Sequence, residues 1–183
     1  MNKRALGAVF AALALVVGAI IVSAGGPAAA GPRDTQSFLV TLYGWPDNSP
    51  PGGDIAFPQI HGSAGGTGTF SDPVTYATDQ NELAPGTIVY YGFLHRYFIM
   101  EDDCEACVQD WEGHGPDGGP GFHHIDLWVG GAGGDTNAVI DCEDALTQQG
   151  NVTLDPPSNE PVDTTPLFDS NTNTCYEPGS FTG

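Results

Sequence analysis

Positive charge is nearly absent from this chain. Of 183 residues only 4 are Lys or Arg, against 23 Asp or Glu, a formal net charge of −19. Two of the four, Lys3 and Arg4, precede an apolar run from Ala5 to Ala24, and Ala28-Ala29-Ala30 follows. A charged start, an apolar stretch and an Ala-x-Ala site form the pattern of a secretory signal peptide over residues 1–30. The run is also long enough for an uncleaved membrane anchor. Cleavage after Ala30 leaves 183 − 30 = 153 residues with no lysine, and Arg33 and Arg96 face 23 acids, so 2 − 23 = −21. Nucleic acid is thereby excluded as a partner, because phosphate binding needs clustered cations to release counterions. Anionic membrane surfaces are disfavoured for the same reason. The expectation is a secreted, extracellular monomer with no membrane contact once the signal is removed.

Other absences narrow the chemistry. There is no GxSxG, no Walker A sequence, no Rossmann fingerprint and no internal sequence repeat. Cysteine is sparse, at Cys104, Cys107, Cys142 and Cys175. In an oxidising compartment an even count reads as two disulfides with three connectivities open. Pairing Cys142 with Cys175 staples the C-terminal segment to the body and leaves Cys104 with Cys107. Disulfide formation argues against a cysteine nucleophile. It also argues against zinc at Cys104-x-x-Cys107 with His114, His123 and His124, so neither metal nor cofactor is expected.

Gly and Pro are plentiful, at 26 and 15, and apolar residues come in short bursts, which points to a β-rich fold with many turns. Residues 31–37 read as a linker. Strands are expected at Phe38–Tyr43, Val74–Thr78, Thr87–Tyr91, Tyr97–Met100, Phe122–Val129 and Val152–Leu154, the third and fourth as a hairpin. One short helix is expected from Asp141, as N-cap, to Gln149. Residues 38–154 then make a closed all-β barrel of six or seven strands with long loops, and residues 155–183 an extended tail held by Cys175.

What remains is carboxylate chemistry. Alternation places His124, Asp126 and Trp128 on one strand face and Ile125, Leu127 and Val129 on the other. An Asp between apolar neighbours is costly unless paired or functional, and burial raises its pKa toward that of a general acid. Tyr43, Trp45 and Asp47 follow the first strand as sugar-stacking rings and a partner carboxylate, or as a plain Asp turn. Glu101-Asp102-Asp103 reads as a calcium site, a catalytic carboxylate or a solvated strand end. Asp117 lies in a loop with five glycines between Gly113 and Gly121, a segment able to close over substrate or merely to connect.

The ordered set Asp79, Leu83-Ala84-Pro85-Gly86-Thr87-Ile88-Val89-Tyr90, Glu101-Asp102 and Ile125-Asp126-Leu127 resembles the three-Asp domain of bacterial murein-acting proteins. That family is a double-psi β-barrel, and Asp79, Asp102 and Asp126 occupy its three aspartate positions. The same barrel houses expansins and the family-45 endoglucanases. His124-Ile125-Asp126-Leu127 is similar to the endoglucanases' H-F-D-L, whose Asp is the general acid. Thr41-Leu42-Tyr43-Gly44 with Asp47 resembles the expansin opening, with Asp47 four residues after the Tyr where the endoglucanase base stands two after it. The layout is also similar to secreted muramidases. The resemblance implies action on β-1,4-linked glycans, peptidoglycan ahead of β-glucan. Asp126 is the acid, Asp47 or Asp117 the base with Asp102 nearby, and Tyr43, Trp45, Asp79, His124 and Trp128 bind substrate; the alternative for Asp79 and Asp102 is a structural role, fixing the barrel's loops by accepting backbone N–H bonds. Without a base, the substrate's own 6-hydroxyl attacks and gives the anhydro product of a lytic transglycosylase. A non-catalytic, expansin-like wall-loosening module is the alternative. The charge of −21 weighs against murein rich in anionic polymers.

Overall fold

The computed structural model describes residues 34–182; the signal peptide, the anchor alternative and the first part of the linker lie outside them. Phe38, Val40 and Leu42 alternate with Leu39 and Thr41, and the three apolar side chains are buried. That two-residue period builds the inner half of β1 (Asp34–Tyr43), whereas β2 (Val74–Ala77) and β4 (Arg96–Asp102) are buried along their whole length; β3 (Ile88–Tyr91), β5 (His124–Trp128) and β6 (Gln148–Leu154) complete the set. The six strands close a barrel in the order β1-β5-β2-β4-β3-β6. Its interior is filled by Phe38, Val40, Tyr76, Val89, Tyr91, Phe98, Met100, Ile125, Leu127 and Val152, all at most 1% exposed.

β1 runs parallel to β5 and β2 parallel to β4, while β2·β5, β3·β4, β3·β6 and β1·β6 are antiparallel. Exchanging β1 with β4, β2 with β5 and β3 with β6 leaves this map unchanged. The barrel thus carries a two-fold repeat of pairings that the sequence does not display as a repeat of residues.

Several boundaries differ from those expected. Residues 34–37 are not linker; they are the start of β1, paired to β6 from Asp34↔Leu154 to Ser37↔Asn151. Residues 34–37 are polar and mostly exposed, so no apolar burst marks them, although their partners on β6 include Val152 and Leu154. A helix, α1 (Glu105–Glu112), fills what reads as loop. Its N-cap is Cys104, whose sulfur accepts from the Cys107 amide, and Gly113 ends it at φ 81°. The second helix, α2 (Thr136–Leu146), starts five residues before the expected one. Asp135 is its N-cap, accepting from the amides of Asn137 and Ala138 at 3.0 Å, and Asp141 lies mid-helix on an exposed face. α1 packs on β5 and α2 on β1.

The C-terminal segment holds a two-stranded ribbon, β7 (Phe168–Asp169) with β8 (Thr174–Cys175). The disulfides are Cys104–Cys107 and Cys142–Cys175. The second ties the ribbon to α2, while the Arg96 side chain donates to the Thr165 carbonyl and stacks 4.9 Å over the Tyr176 ring. Replacing Cys142 and Cys175 together with serine is expected to lower stability by about 3–4 kcal/mol, the loop-closure entropy of a 33-residue separation. Urea denaturation measures this, and a loss below 1 kcal/mol contradicts it.

Candidate functional site

Register brings the acids together. Asp126 on β5 stands opposite Thr41 on one side and Ala77 on the other, and Ala77 stands opposite Asp102. Paired residues point to the same face of a sheet. The row Thr41, Asp126, Ala77, Asp102 therefore presents two carboxyls flanking a methyl group, which leaves room between them. Above it opens a cleft of about 560 Å³, lined by Tyr43, Asp47, Ala77, Asp102 and Asp126, with Asp54, Asp103 and Glu105 at its walls.

A bulge aims the β4 acids. Tyr76 pairs with Met100 and Ala77 with Asp102, so Glu101 is the extra residue. The buried Glu101 turns away from the cleft. Its Oε1 accepts from the amides of Gln59, Ile60 and His61 at 2.7–3.0 Å, and its Oε2 faces His61 Nδ1 at 2.6 Å and Thr75 Oγ1 at 3.1 Å. These donors outweigh the cost of burial and hold its carboxyl below the usual range. Asp102 accepts from the Ala56 amide (2.9 Å), the Asp103 amide (3.0 Å) and the Tyr43 hydroxyl (2.9 Å), yet burial raises its pKa. Two adjacent carboxylates thus pin residues 56–61, part of the cleft wall. Replacing Glu101 with glutamine sets an amide NH₂ against these donors and is expected to cost about 2–4 kcal/mol, read from urea midpoints.

Asp126 is half-buried, and its Oδ1 accepts from Thr41 Oγ1 at 2.8 Å. Desolvation first, then the charges of Asp47 and Asp102, push its pKa up to about 7. Asp47 is exposed, its Oδ1 taking the Gly44 amide at 2.8 Å. It also accepts from Glu143, which is 4% exposed. Burial, the Asp47 charge and this hydrogen bond push Glu143 to about 8, so it carries a proton at neutral pH.

Not every residue named from the sequence reaches the cleft. Asp117 is exposed and outside it: the Gly113–Gly121 loop folds back on α1, the Asp117 amide donating to Asp110 Oδ1 at 3.3 Å. A Cβ at Gly115 would collide with the Asp110 carboxyl, which is why that approach needs glycine. Asp79 is 2% exposed and closes a turn, accepting from the Asn81 amide at 2.6 Å and its side chain at 2.9 Å. His124, 3% exposed, lies beneath the site, with Nε2 2.9 Å from Thr41 Oγ1 and Nδ1 2.8 Å from Asp110 Oδ2. Trp128 is buried against the Tyr43 ring at 5.2 Å and borders a different hollow, beside Gly66 and Arg96, rather than the cleft. Trp45 is 43% exposed but borders a separate hollow with Pro46, Pro51 and Gly131.

Glu143, Asp110 and Thr41 were not singled out from the sequence. A signal existed for the first: Val139, Cys142, Glu143 and Leu146 follow helical spacing, so Glu143 stands on the buried stripe of α2. Cys104, Cys107 and His124 bring ligand atoms within 4.8 Å of one another. Both sulfurs are joined in the disulfide and both ring nitrogens face partners, so this trio holds no metal in the oxidised protein.

Over residues 35–176 the chain matches the family described as DDB_G0273701 N-terminal domain. That segment contains all of the barrel but Asp34, both helices and every cleft residue named above. The chain is 41% identical over 142 residues to the uncharacterized protein DDB_G0273701/DDB_G0273221 of Dictyostelium discoideum, an alignment covering 75% of this chain and 59% of the relative. It thus spans less than two thirds of that relative's length. No solved structure matches. The chain belongs to the DDB_G0273701 N-terminal domain family.

Proposed function

We propose that the cleft cleaves β-1,4-linked glycans, peptidoglycan foremost, with Asp126 as general acid on a double-psi barrel. Asp126 carries the reading. A carboxyl that borders an open cleft and keeps its proton up to about pH 7 is a proton donor for a glycosidic oxygen at mildly acid to neutral pH. The exposed Asp47 is the base that activates water, giving hydrolysis with inversion. Asp102 acts indirectly, raising the pKa of Asp126 and holding Tyr43, whose ring borders the sugar path. The two-fold exchange of pairings supports the double-psi assignment. The two disulfides support a place outside the cell.

Two observations favour other readings. Asp54, Asp103 and Glu105 add negative charge around the cleft, which favours neutral β-glucan over murein bearing anionic polymers. The Gly44–Asp47 hydrogen bond is that of a plain Asp turn and favours a non-catalytic, expansin-like module. Release of reducing ends from murein and from soluble β-1,4-glucan separates the three. Product from murein lost in Asp126→Asn supports the muramidase reading, and product from glucan alone moves the protein to the endoglucanases. Tight binding without product from either overturns the enzyme reading.

A further inference from the structure

Behind Asp126 runs a chain of hydrogen bonds ending in the barrel's outer layer: Asp126 Oδ1, Thr41 Oγ1 (2.8 Å), His124 Nε2 (2.9 Å), His124 Nδ1 and Asp110 Oδ2 (2.8 Å). Asp110 is fully buried on α1 and His124 nearly so. Thr41 has a single hydroxyl hydrogen. When it donates to Asp126, its oxygen must accept from His124, so Nε2 bears hydrogen. The Nδ1 side then faces Asp110, whose Oδ1 also takes the Asp117 amide. A threonine joining an acid in a cleft to a buried His–Asp pair does more than fill space: it lets protons shift along the row without moving a heavy atom.

We propose that the His124–Asp110 pair is a proton reserve for Asp126, connected through the Thr41 hydroxyl. This role rests on Asp126 being the general acid. As Asp126 Oδ2 gives its proton to the leaving oxygen, that O–H bond forms and the glycosidic bond breaks. Thr41 passes its hydrogen to Oδ1 and takes the Nε2 hydrogen of His124 in exchange. The His124–Asp110 pair gives up that one hydrogen and keeps the other between Nδ1 and Asp110 Oδ2. Asp126 therefore ends the step protonated, and the proton deficit passes to the buried His124–Asp110 pair. Solvent restores the missing proton after the product leaves. His124, Asp110 and Thr41 are positioning residues here, since none of them touches the substrate.

The groups that face this chain are few. Asp47 and Asp102 act on Asp126, Asp126 acts on Glu143, and Tyr43 lies in the field of Asp102, Asp126 and Asp103. Around His124 stand Asp110 and the non-titrating Cys104–Cys107 disulfide on α1, with Glu82 near its backbone.

The full chain, labelled for NMR and free of substrate, tests the connection without relying on any glycan. In the unmodified protein and in Thr41→Ser, the ¹⁵Nε2 signal of His124 is expected to change in the same pH step as the ¹³Cγ signal of Asp126. In Thr41→Val, which keeps the shape and lacks the hydroxyl, the His124 response to Asp126 should vanish. With a cleaved glycan in hand, Thr41→Val should lower kcat about 10- to 100-fold at unchanged KM, and Thr41→Ser should recover most of it. A His124 signal indifferent to Asp126 in the unmodified protein overturns the proposal, as does coupling that persists in Thr41→Val. Absence of any glycan cleavage alongside intact coupling would count against the glycosidase reading and leave the shared proton standing.

Discussion

Replacing Asp126 with asparagine should lower kcat/KM about 10³-fold at pH 5 while glycan affinity changes by no more than a few-fold. The amide keeps the shape and the Thr41 hydrogen bond but has no acidic proton to give, and a positioned general acid contributes about 10²–10⁴ in rate. The unmodified protein should lose activity as pH rises through about 7, where Asp126 gives up its proton. Initial rates across pH 4–9 check both points. An asparagine variant within tenfold of the original sinks Asp126 as the acid, and a fall centred below pH 5 removes the argument from its raised pKa.

The second large effect concerns stability. Asp126 at about 7 and Glu143 at about 8 hold protons in the folded state that the unfolded chain, at ordinary carboxylate values, releases near pH 4. A raised folded pKa contributes stability that is full below the unfolded value and is lost as pH rises through the folded one. Going from pH 5 to pH 9 should therefore cost the protein on the order of 3 kcal/mol, discounted because the two acids share Asp47 and Asp126 is half-buried. His61, lowered by desolvation but raised on balance by the hydrogen bonds its ring donates to Asp72 and Glu101, loses its contribution in the same direction. Glu101 works oppositely: its depressed pKa gives stability that disappears as pH falls through that lowered value. Urea midpoints at pH 5, 7 and 9 measure the slope. Asp126→Asn and Glu143→Gln should each flatten it, and equal slopes in all three proteins would contradict the assignment.

These effects together describe a site whose acids destabilise the fold at neutral pH. Three carboxyls with raised pKa values, Asp102, Asp126 and Glu143, crowd near Asp47 with no cation named among the cleft's lining residues. Arg96 is instead spent on the C-terminal segment, under Tyr176. Such crowding is what keeps a proton on a carboxylic acid near neutrality.

Much of this was legible from residue order. The short apolar bursts located the strand cores because the barrel interior is filled by apolar side chains, and the β3–β4 hairpin followed from two such bursts around Gly92. That the cysteines pair followed from their even count; the pairing itself, Cys142 with Cys175 and Cys104 with Cys107, was one of three connectivities left open by the sequence. Asp126 stood out as an acid inside an apolar strand. The polar first part of β1 did not stand out: Asp34 to Ser37 are mostly exposed and are held by backbone pairing to Asn151–Leu154. α1 was hidden by its acids and by a cysteine serving as N-cap. Asp110 and Glu143 become interior only when α1 and α2 dock, so their environment is a tertiary fact. The repeat of pairings leaves no trace because equivalent positions carry unlike residues; Asp126 corresponds to Ala77, and Thr41 to Asp102. Trp128 and His124 were read on the correct strand face, but α1 and Tyr43 cover them there.

The most direct test of Asp126-dependent glycan cleavage is digestion of murein and soluble β-1,4-glucan in water labelled with heavy oxygen, with fragments read by mass. The account predicts new reducing ends that each carry one heavy oxygen, abundant with the unmodified protein and absent with Asp126→Asn. Anhydro ends without label would replace the water-activating role of Asp47 by attack from the sugar's own 6-hydroxyl. Fragments made equally by both proteins, or by neither, would contradict the account.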